Sequence, residues 1–280
     1  MRLFVFGLGY SASRLAARLG NRGWRVTGTS QDGRAGSIAF DDHERVAFEL
    51  ANATHILSSV PPGEAGDPVL AAHGPALAAS RAWLGYLSST GVYGDTGGAW
   101  VDESAPTGTG RRSARSEADA AWLELGARVF RLPGIYGPGR SPLDRVRRGT
   151  AQRVDVPGQV FSRIHVDDLV EGVIAGFNGP AGAYNLADDM PAPQVDIVAL
   201  ACRLLGLAVP PLVPLADAGL SPQALAFYAE NRRVANGKAK RMLGWRPLYA
   251  DYRLGLRALS AITSPAIAST APATASSDQL

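Results

Sequence analysis

Leu3-Phe4-Val5-Phe6-Gly7-Leu8-Gly9-Tyr10-Ser11-Ala12 is the stretch that decides the fold. A short apolar run cut off by glycine reads as a buried parallel strand. Behind it Leu15, Ala16 and Leu19 recur at helical spacing, and Gly20 to Gly23 ends the helix. Trp24 to Thr29 then reads as a second strand, which completes one βαβ unit.

The alternation continues outward. His55 to Val60 reads as a strand stopped by Pro61-Pro62, Pro68 to Ser80 as an Ala-rich helix, and Trp83 to Ser88 as a strand. Ser113 to Leu125 reads as a helix and Arg128 to Leu132 as another strand. Strands alternating with helices predict an α/β fold with a doubly wound parallel sheet of the Rossmann type. Ligands on such sheets sit at the carboxyl ends of the strands, where the Gly, Ser and Pro clusters fall here. After Gly137 the spacing loosens: a basic helix and a loop over 141–161, a helical segment from Ile164 to Phe177, and a short strand from Ala183 to Leu186. From Pro191 to Leu259, helices are broken by Pro-rich joints. We read residues 1–187 as a dinucleotide-binding domain, with 141–163 contributing to a smaller C-terminal substrate-binding lobe that spans 188–262. Residues 263–280, Ser, Thr, Ala and Pro without apolar period, read as a disordered tail.

The bulk numbers set limits. The chain has 280 residues, 46% hydrophobic and 19% charged, with a formal net charge of +3. A surplus that small argues against nucleic acid as a partner. Cys202 is the single cysteine, so no internal disulfide forms, and its apolar surroundings predict a buried thiol. His43, His55, His73 and His165 are scattered without ligand spacing, so no metal site is expected. No apolar stretch has the length to span a bilayer and no leader pattern is visible, so the expectation is a cytoplasmic protein without membrane contact.

Gly7-Leu8-Gly9-Tyr10-Ser11-Ala12 fits G-x-G-x-x-A between a strand and a helix, the context that gives the pattern meaning. Gly7 permits the tight turn, Gly9 lets a pyrophosphate approach the backbone, and Ala12 allows close helix–strand packing. The helix N-terminus supplies free N–H groups and a favourable dipole. The expected ligand is therefore a nicotinamide dinucleotide, with Tyr10 and Ser11 at the turn and Val60 and Pro61 lining the site after a neighbouring strand. The second strand ends Gly28-Thr29-Ser30-Gln31 without a carboxylate at its tip; Asp32 comes slightly late. An acid there would favour NAD by accepting from the ribose 2′-OH. Ser30 and Arg34 suit a 2′-phosphate instead, which tilts the choice between NADP and NAD toward NADP, although a solvated loop charge explains Arg34 equally well.

Three further stretches follow in order: Leu87-Ser88-Ser89-Thr90-Gly91-Val92-Tyr93-Gly94, Leu132-Pro133-Gly134-Ile135-Tyr136-Gly137-Pro138-Gly139-Arg140, and Arg163-Ile164-His165-Val166-Asp167-Asp168-Leu169. With Tyr184-Asn185-Leu186-Ala187-Asp188 and Leu243-Gly244-Trp245, they resemble the extended short-chain dehydrogenase/reductase superfamily, which includes nucleotide-sugar epimerases and dehydratases. The resemblance covers about residues 1 to 260. The glycine spacing departs from the usual G-x-x-G-x-x-G, which is similar to an atypical, YeeZ-like branch. The resemblance implies that Ser89 is the catalytic hydroxyl that hydrogen-bonds the reacting oxygen; the plainer reading is a hydroxyl capping the strand end. It implies that Pro133, Gly134 and Ile135 lie against the nicotinamide, the plainer reading being a strand-to-loop turn, that Tyr136 and Arg140 face a substrate pocket, and that Arg233 holds an anionic substrate group, the plainer reading being a surface charge. His165 and Asp168 are read as structural, starting the next helix. It also implies a homodimer through the helices at 68–80 and 113–125.

One departure concerns chemistry. The superfamily places a Tyr, the general acid/base, and a Lys four residues on. The matching positions are Arg111 and Arg115. Arg115 can still hold the ribose and the cofactor charge, whereas a guanidinium at 111 stays protonated and cannot act as a base; an anionic substrate group would suit it. Two functions stay open. One is an NAD(P)-dependent oxidoreductase, epimerase or dehydratase that acts on a hydroxyl or carbonyl of a small polar metabolite such as a nucleotide sugar, with Ser89 and Arg115 as its catalytic residues. The other is a non-catalytic dinucleotide-binding sensor.

Overall fold

The computed structural model describes residues 1–110 and 113–263. Arg111 and the tail beyond Thr263 therefore lie outside the described residues. The first half runs β1 (Arg2–Phe6), α1 (Tyr10–Gly20), β2 (Arg25–Ser30), β3 (Ile38–Ala39), α2 (His43–Asn52), β4 (His55–Ser58), α3 (Pro68–Ala79) and β5 (Trp83–Ser89). It continues with β6 (Trp100–Val101), α4 (Ser113–Glu124), β7 (Arg128–Leu132) and β8 (Gly134–Tyr136). The second half adds α5 (Pro142–Arg147), β9 (Arg153–Asp155), β10 (Arg163–His165), α6 (Val166–Ala175) and β11 (Gly182–Asn185). It ends with α7 (Gln194–Leu204), β12 (Leu212–Pro214), α8 (Pro222–Tyr228), β13 (Arg233–Val234), α9 (Gly237–Leu243) and α10 (Tyr252–Thr263).

The central sheet has seven strands in the order β11-β7-β5-β4-β1-β2-β3, and every pairing in it is parallel. Because side chains alternate across a strand, β1 feeds two cores at once. Leu3 and Val5 pack with Ala12, Leu15 and Leu19 of α1 and Leu169 and Val173 of α6. Phe4 and Phe6 pack on the opposite face with Val46 of α2, Val69 and Leu77 of α3, and Trp122 of α4. The strand order reverses between β1 and β4, so the turn after β1 and the segment after β4 meet at the switch point where such sheets bind ligands. A separate core of Tyr136, Leu143, Ile197, Cys202 and Leu256 joins α5, α7 and α10; the buried Cys202 thiol belongs to it.

One expected element differs. The segment from Ile164 was read as helical throughout, but Arg163–His165 is a strand paired with β8, and the helix starts at Val166. The cap is His165, whose Nδ1 accepts from the Asp167 N–H at 3.2 Å. The Asp168 carboxylate instead accepts from the N–H groups of Leu248 (2.6 Å) and Tyr249 (3.0 Å), pinning that loop to α6.

Candidate functional site

The turn after β1 has the geometry a pyrophosphate site needs. Gly7 sits at φ +82°, and a Cβ there would come within 2.9 Å of Val60 Cγ2 and 3.3 Å of Ser59 Oγ. Its N–H donates to Thr29 Oγ1 (3.0 Å), and Ser59 Oγ donates to its carbonyl (2.5 Å), so the turn is locked between β2 and the segment after β4. Gly9 is different: it caps α1 without a side-chain hydrogen bond, and a Cβ on it would meet nothing within 4 Å. Packing therefore does not require glycine at this position, whereas a ligand lying against the backbone does. Ala12 is buried one turn in, and Ser11 is half-buried beside it. Val60, also half-buried, packs against Gly7, with the exposed Pro61 next in the chain.

Tyr10 faces a second loop. Its phenol donates to the Pro138 carbonyl at 3.1 Å, as does Arg14 at 3.3 Å. The guanidiniums of Arg14 and Arg140 lie 5.3 Å and 5.7 Å from its ring centroid. Arg140, read from sequence as facing a substrate pocket, thus stands beside the turn after β1. Tyr136 is a clear correction: its ring is 5% exposed in the α5–α7–α10 core, and a Cβ on Gly255 of α10 would overlap its hydroxyl. The short β8–β10 pairing turns Tyr136 inward, against His165.

At the tip of β2, Ser30 Oγ donates to Asp32 (3.2 Å) and accepts from the Arg34 N–H (3.1 Å) and from Ser37 Oγ (2.7 Å). The late carboxylate does reach the tip, and the exposed Arg34 side chain is 3.7 Å from it. Two opposite charges therefore flank Ser30.

At the end of β5, Ser89 Oγ accepts from the Gly91 N–H (3.1 Å) and caps the turn at residues 90–93. Gly134 is exposed and Ile135 half-buried on β8, following the half-buried Pro133. Arg115 lies half-buried on α4. Arg233 donates to the Gly98 carbonyl, and Arg232 to the Gly94 carbonyl (2.5 Å) and Glu230 (2.8 Å). Arg233 is thus a clamp on the 94–98 loop, a role its basic character in the sequence did not reveal.

The sequence reading missed a buried network under these strand ends. The Asp119 carboxylate on α4 accepts from Ser88 Oγ (2.6 Å) and from Arg131 Nη2 (2.7 Å) and Nε (3.1 Å). Arg131 Nη1 donates to Tyr93 Oη (3.0 Å), which donates to Asn185 Oδ1 (2.8 Å). Tyr93 is 2% exposed, and burial holds its phenol above the usual range. The only visible sequence signal was Asp119 standing one helical turn after Arg115. Among the described residues, no phenol, imidazole or carboxylate hydrogen-bonds Ser89 Oγ.

A second buried group lies farther along. Asp188 Oδ1 accepts from the Met190 N–H (3.2 Å), while Oδ2 is buried without a partner. Burial pushes this carboxyl up to about 8 despite the opposing field of Arg163. Arg163, itself buried, donates to the carbonyls of Phe161 (2.7 Å) and Ala192 (2.9 Å) and to Gln194 (2.8 Å).

No family model matches the chain. A solved structure from Silicibacter pomeroyi, described as a functionally unknown conserved protein, superposes with a TM-score of 0.86 at 42% identity, covering 94% of this chain and 99% of that one. Protein YeeZ of Escherichia coli K12 is 29% identical over 249 residues, 78% of this chain and 89% of YeeZ. The chain is thus similar to YeeZ over most of both chains, in line with the YeeZ-like resemblance carried by its motifs. A further relative, a 3-diazoavenalumate denitrifying reductase from a Streptomyces species, is 31% identical over 171 residues. That match covers 56% of this chain and just over half, 55%, of the reductase. No helix among the described residues is long and apolar enough to cross a membrane.

Proposed function

We propose that the protein is an NAD(P)-dependent reductase of a small polar metabolite, working without a tyrosine general acid. The observation that carries this reading is the pair of glycines at the switch point: Gly7 locked at positive φ, and Gly9 facing open space at the start of α1. The α1 N–H groups and dipole bind the pyrophosphate there. Ser30 meets the adenosine ribose, with Asp32 and Arg34 as competing neighbours for a 2′-hydroxyl or a 2′-phosphate. Val60 and Pro61 line the adjoining wall. Arg115 holds the nicotinamide ribose, Pro133, Gly134 and Ile135 flank the ring, and Ser89 donates to the reacting group of the substrate. A reduced nicotinamide bound there supplies hydride.

The direction of the chemistry follows from Arg111. Epimerases and dehydratases of the superfamily first oxidise an alcohol, which requires a base to take the hydroxyl proton. A guanidinium cannot do so at neutral pH. Reduction of an already polarised acceptor has no such requirement, because water can deliver the proton afterwards. The relative named for denitrifying reduction of a diazo compound fits the same logic. An acceptor that takes hydride and expels nitrogen leaves no alkoxide for a tyrosine to protonate. A small-molecule substrate, a cytoplasmic setting and a homodimer through α3 and α4 accompany this reading.

Turnover tests it. NADPH and NADH are offered with a panel of aldehydes, ketones, iminium salts and aryl diazo compounds, and loss of nicotinamide absorbance is followed. Reduction of at least one class is expected, with Ser89→Ala slower by roughly 10-fold or more. Alcohol oxidation by NADP+ faster than any reduction would overturn the proposed direction. Arg111 at the tyrosine position also favours the second reading, a non-catalytic sensor; tight dinucleotide binding with no turnover across the panel would establish it.

A further inference from the structure

We propose that Asp119 is a positioning residue for the nicotinamide end of the site, one buried carboxylate that fixes the three segments carrying Ser89, Arg115 and Gly134. The inference rests on the cofactor reading above and names a residue that reading does not use.

Each connection is direct. Asp119 Oδ2 accepts from Ser88, the residue before Ser89 on β5. Asp119 lies one helical turn beyond Arg115 on α4, so the two side chains share a face and the tether at 119 sets the height of 115 against the strands. The bidentate pair with Arg131 ties the helix to β7, two residues before the Pro133-Gly134 exit. Ser88 and Arg131 are register partners on adjacent strands, so the carboxylate bridges both at one level. Arg131 then reaches Tyr93, the last residue of the turn that Ser89 caps, and Tyr93 reaches Asn185 at the end of β11.

A purely stabilising role explains this poorly. The Asp119 and Arg131 side chains are 2% and 4% exposed, and for such pairs the desolvation cost offsets most of the attraction. Well-packed apolar residues hold a core together as well. What a bidentate, fully bonded pair adds is a fixed direction and distance between three separate chain segments. Those segments converge where the nicotinamide half of the cofactor would lie, while the Gly7–Ala12 turn serves the pyrophosphate on its own contacts.

The test separates the two halves of the ligand. Ser88→Ala and Tyr93→Phe each delete one hydroxyl from the network with little change of shape, and Asp119→Asn keeps the shape but removes the charge. Affinities for NADPH and for 2′-phospho-ADP-ribose, which lacks the nicotinamide, are measured by titration. The emission of bound NADPH and the melting temperature are recorded alongside. The two hydroxyl deletions are expected to weaken NADPH binding roughly five- to tenfold and to shift its emission, with 2′-phospho-ADP-ribose affinity unchanged within about twofold. Asp119→Asn, if it folds, is expected to lose more than either. Equal losses for both ligands, or a lowered melting temperature with NADPH affinity and emission unchanged, would overturn the positioning role alone. A wild-type protein that binds neither these two ligands nor NADH and ADP-ribose, offered in the same titration, overturns the cofactor reading and this inference with it.

Discussion

Gly9→Val is expected to abolish dinucleotide binding while leaving the melting temperature at its wild-type value. The backbone at Gly9 has φ −84° and ψ −168°, extended geometry that a β-branched residue adopts without strain. A Cβ there meets nothing within 4 Å, so no packing is lost. The same atoms, however, fill the space in front of the α1 N-terminus, through which a pyrophosphate must reach the backbone N–H groups. The affinity loss should be roughly 100-fold or more, the equivalent of about 2.7 kcal/mol. Gly7→Ala is the control, because it combines positive φ with a close approach to Val60. That variant should lose stability as well as binding, by about 1–2 kcal/mol for the backbone alone. Calorimetric titration and thermal melting on both proteins check the contrast. A Gly9→Val protein that melts normally and binds with unchanged affinity would remove the turn from the site.

The second large effect is a loss of stability between pH 6.5 and 8 that traces to Asp188. Its carboxyl is held at about 8 by burial, against about 3.9 in an unfolded chain. An acid whose folded value is raised adds stability that is fully present below the unfolded value and disappears as pH rises through the folded one. Asp168, raised to about 6, acts the same way over a narrower range. His55 and His165, both lowered to about 4 chiefly by burial, act in the opposite sense, costing stability as pH falls below about 6.5. The two sets oppose each other below pH 6.5. Above it Asp188 acts without that opposition, facing Arg163, Asp189, Asp251 and Tyr136. Stability should fall by about 1.4 kcal/mol per pH unit there, about 2 kcal/mol in all, or roughly 5 °C in Tm. Asp188→Asn should flatten that slope. A wild-type slope of zero over this window, or an Asn variant with the same slope, would show that Asp188 is already ionised at neutral pH, paired with Arg163 through groups beyond those seen here.

How much of this was legible beforehand depends on the range over which each feature is encoded. The β1–turn–α1 unit is local: an apolar run, two glycines at fixed spacing and a helical period lie within 20 residues, and the structure has them where they were expected. The parallel sheet follows because each later strand is a short apolar run set apart by a helix or a glycine. The strand Arg163–His165 was hidden because it runs into α6 without a breaker, and only its pairing with β8 makes it a strand. Tyr136 was placed on the wrong side for the same reason: the inward face of a three-residue strand is set by its partner, not by its own pattern. Asp32 stands beyond the tip of β2 in sequence, yet the bend at residues 31–32 brings its carboxylate back to the Ser30 hydroxyl. The Asp119–Arg131–Tyr93–Asn185 network joins residues from four separate elements, and the i,i+4 spacing of Arg115 and Asp119 is its one trace in the sequence.

Calorimetric titration of the wild-type protein with NADPH, NADP+, NADH and NAD+ tests the central claim most directly. The account predicts saturable binding of at least one of the four at one site per chain, with a negative heat-capacity change from the apolar surface covered and complete loss of the signal in Gly9→Val. Absence of saturable heat and of any thermal shift with all four dinucleotides would contradict it.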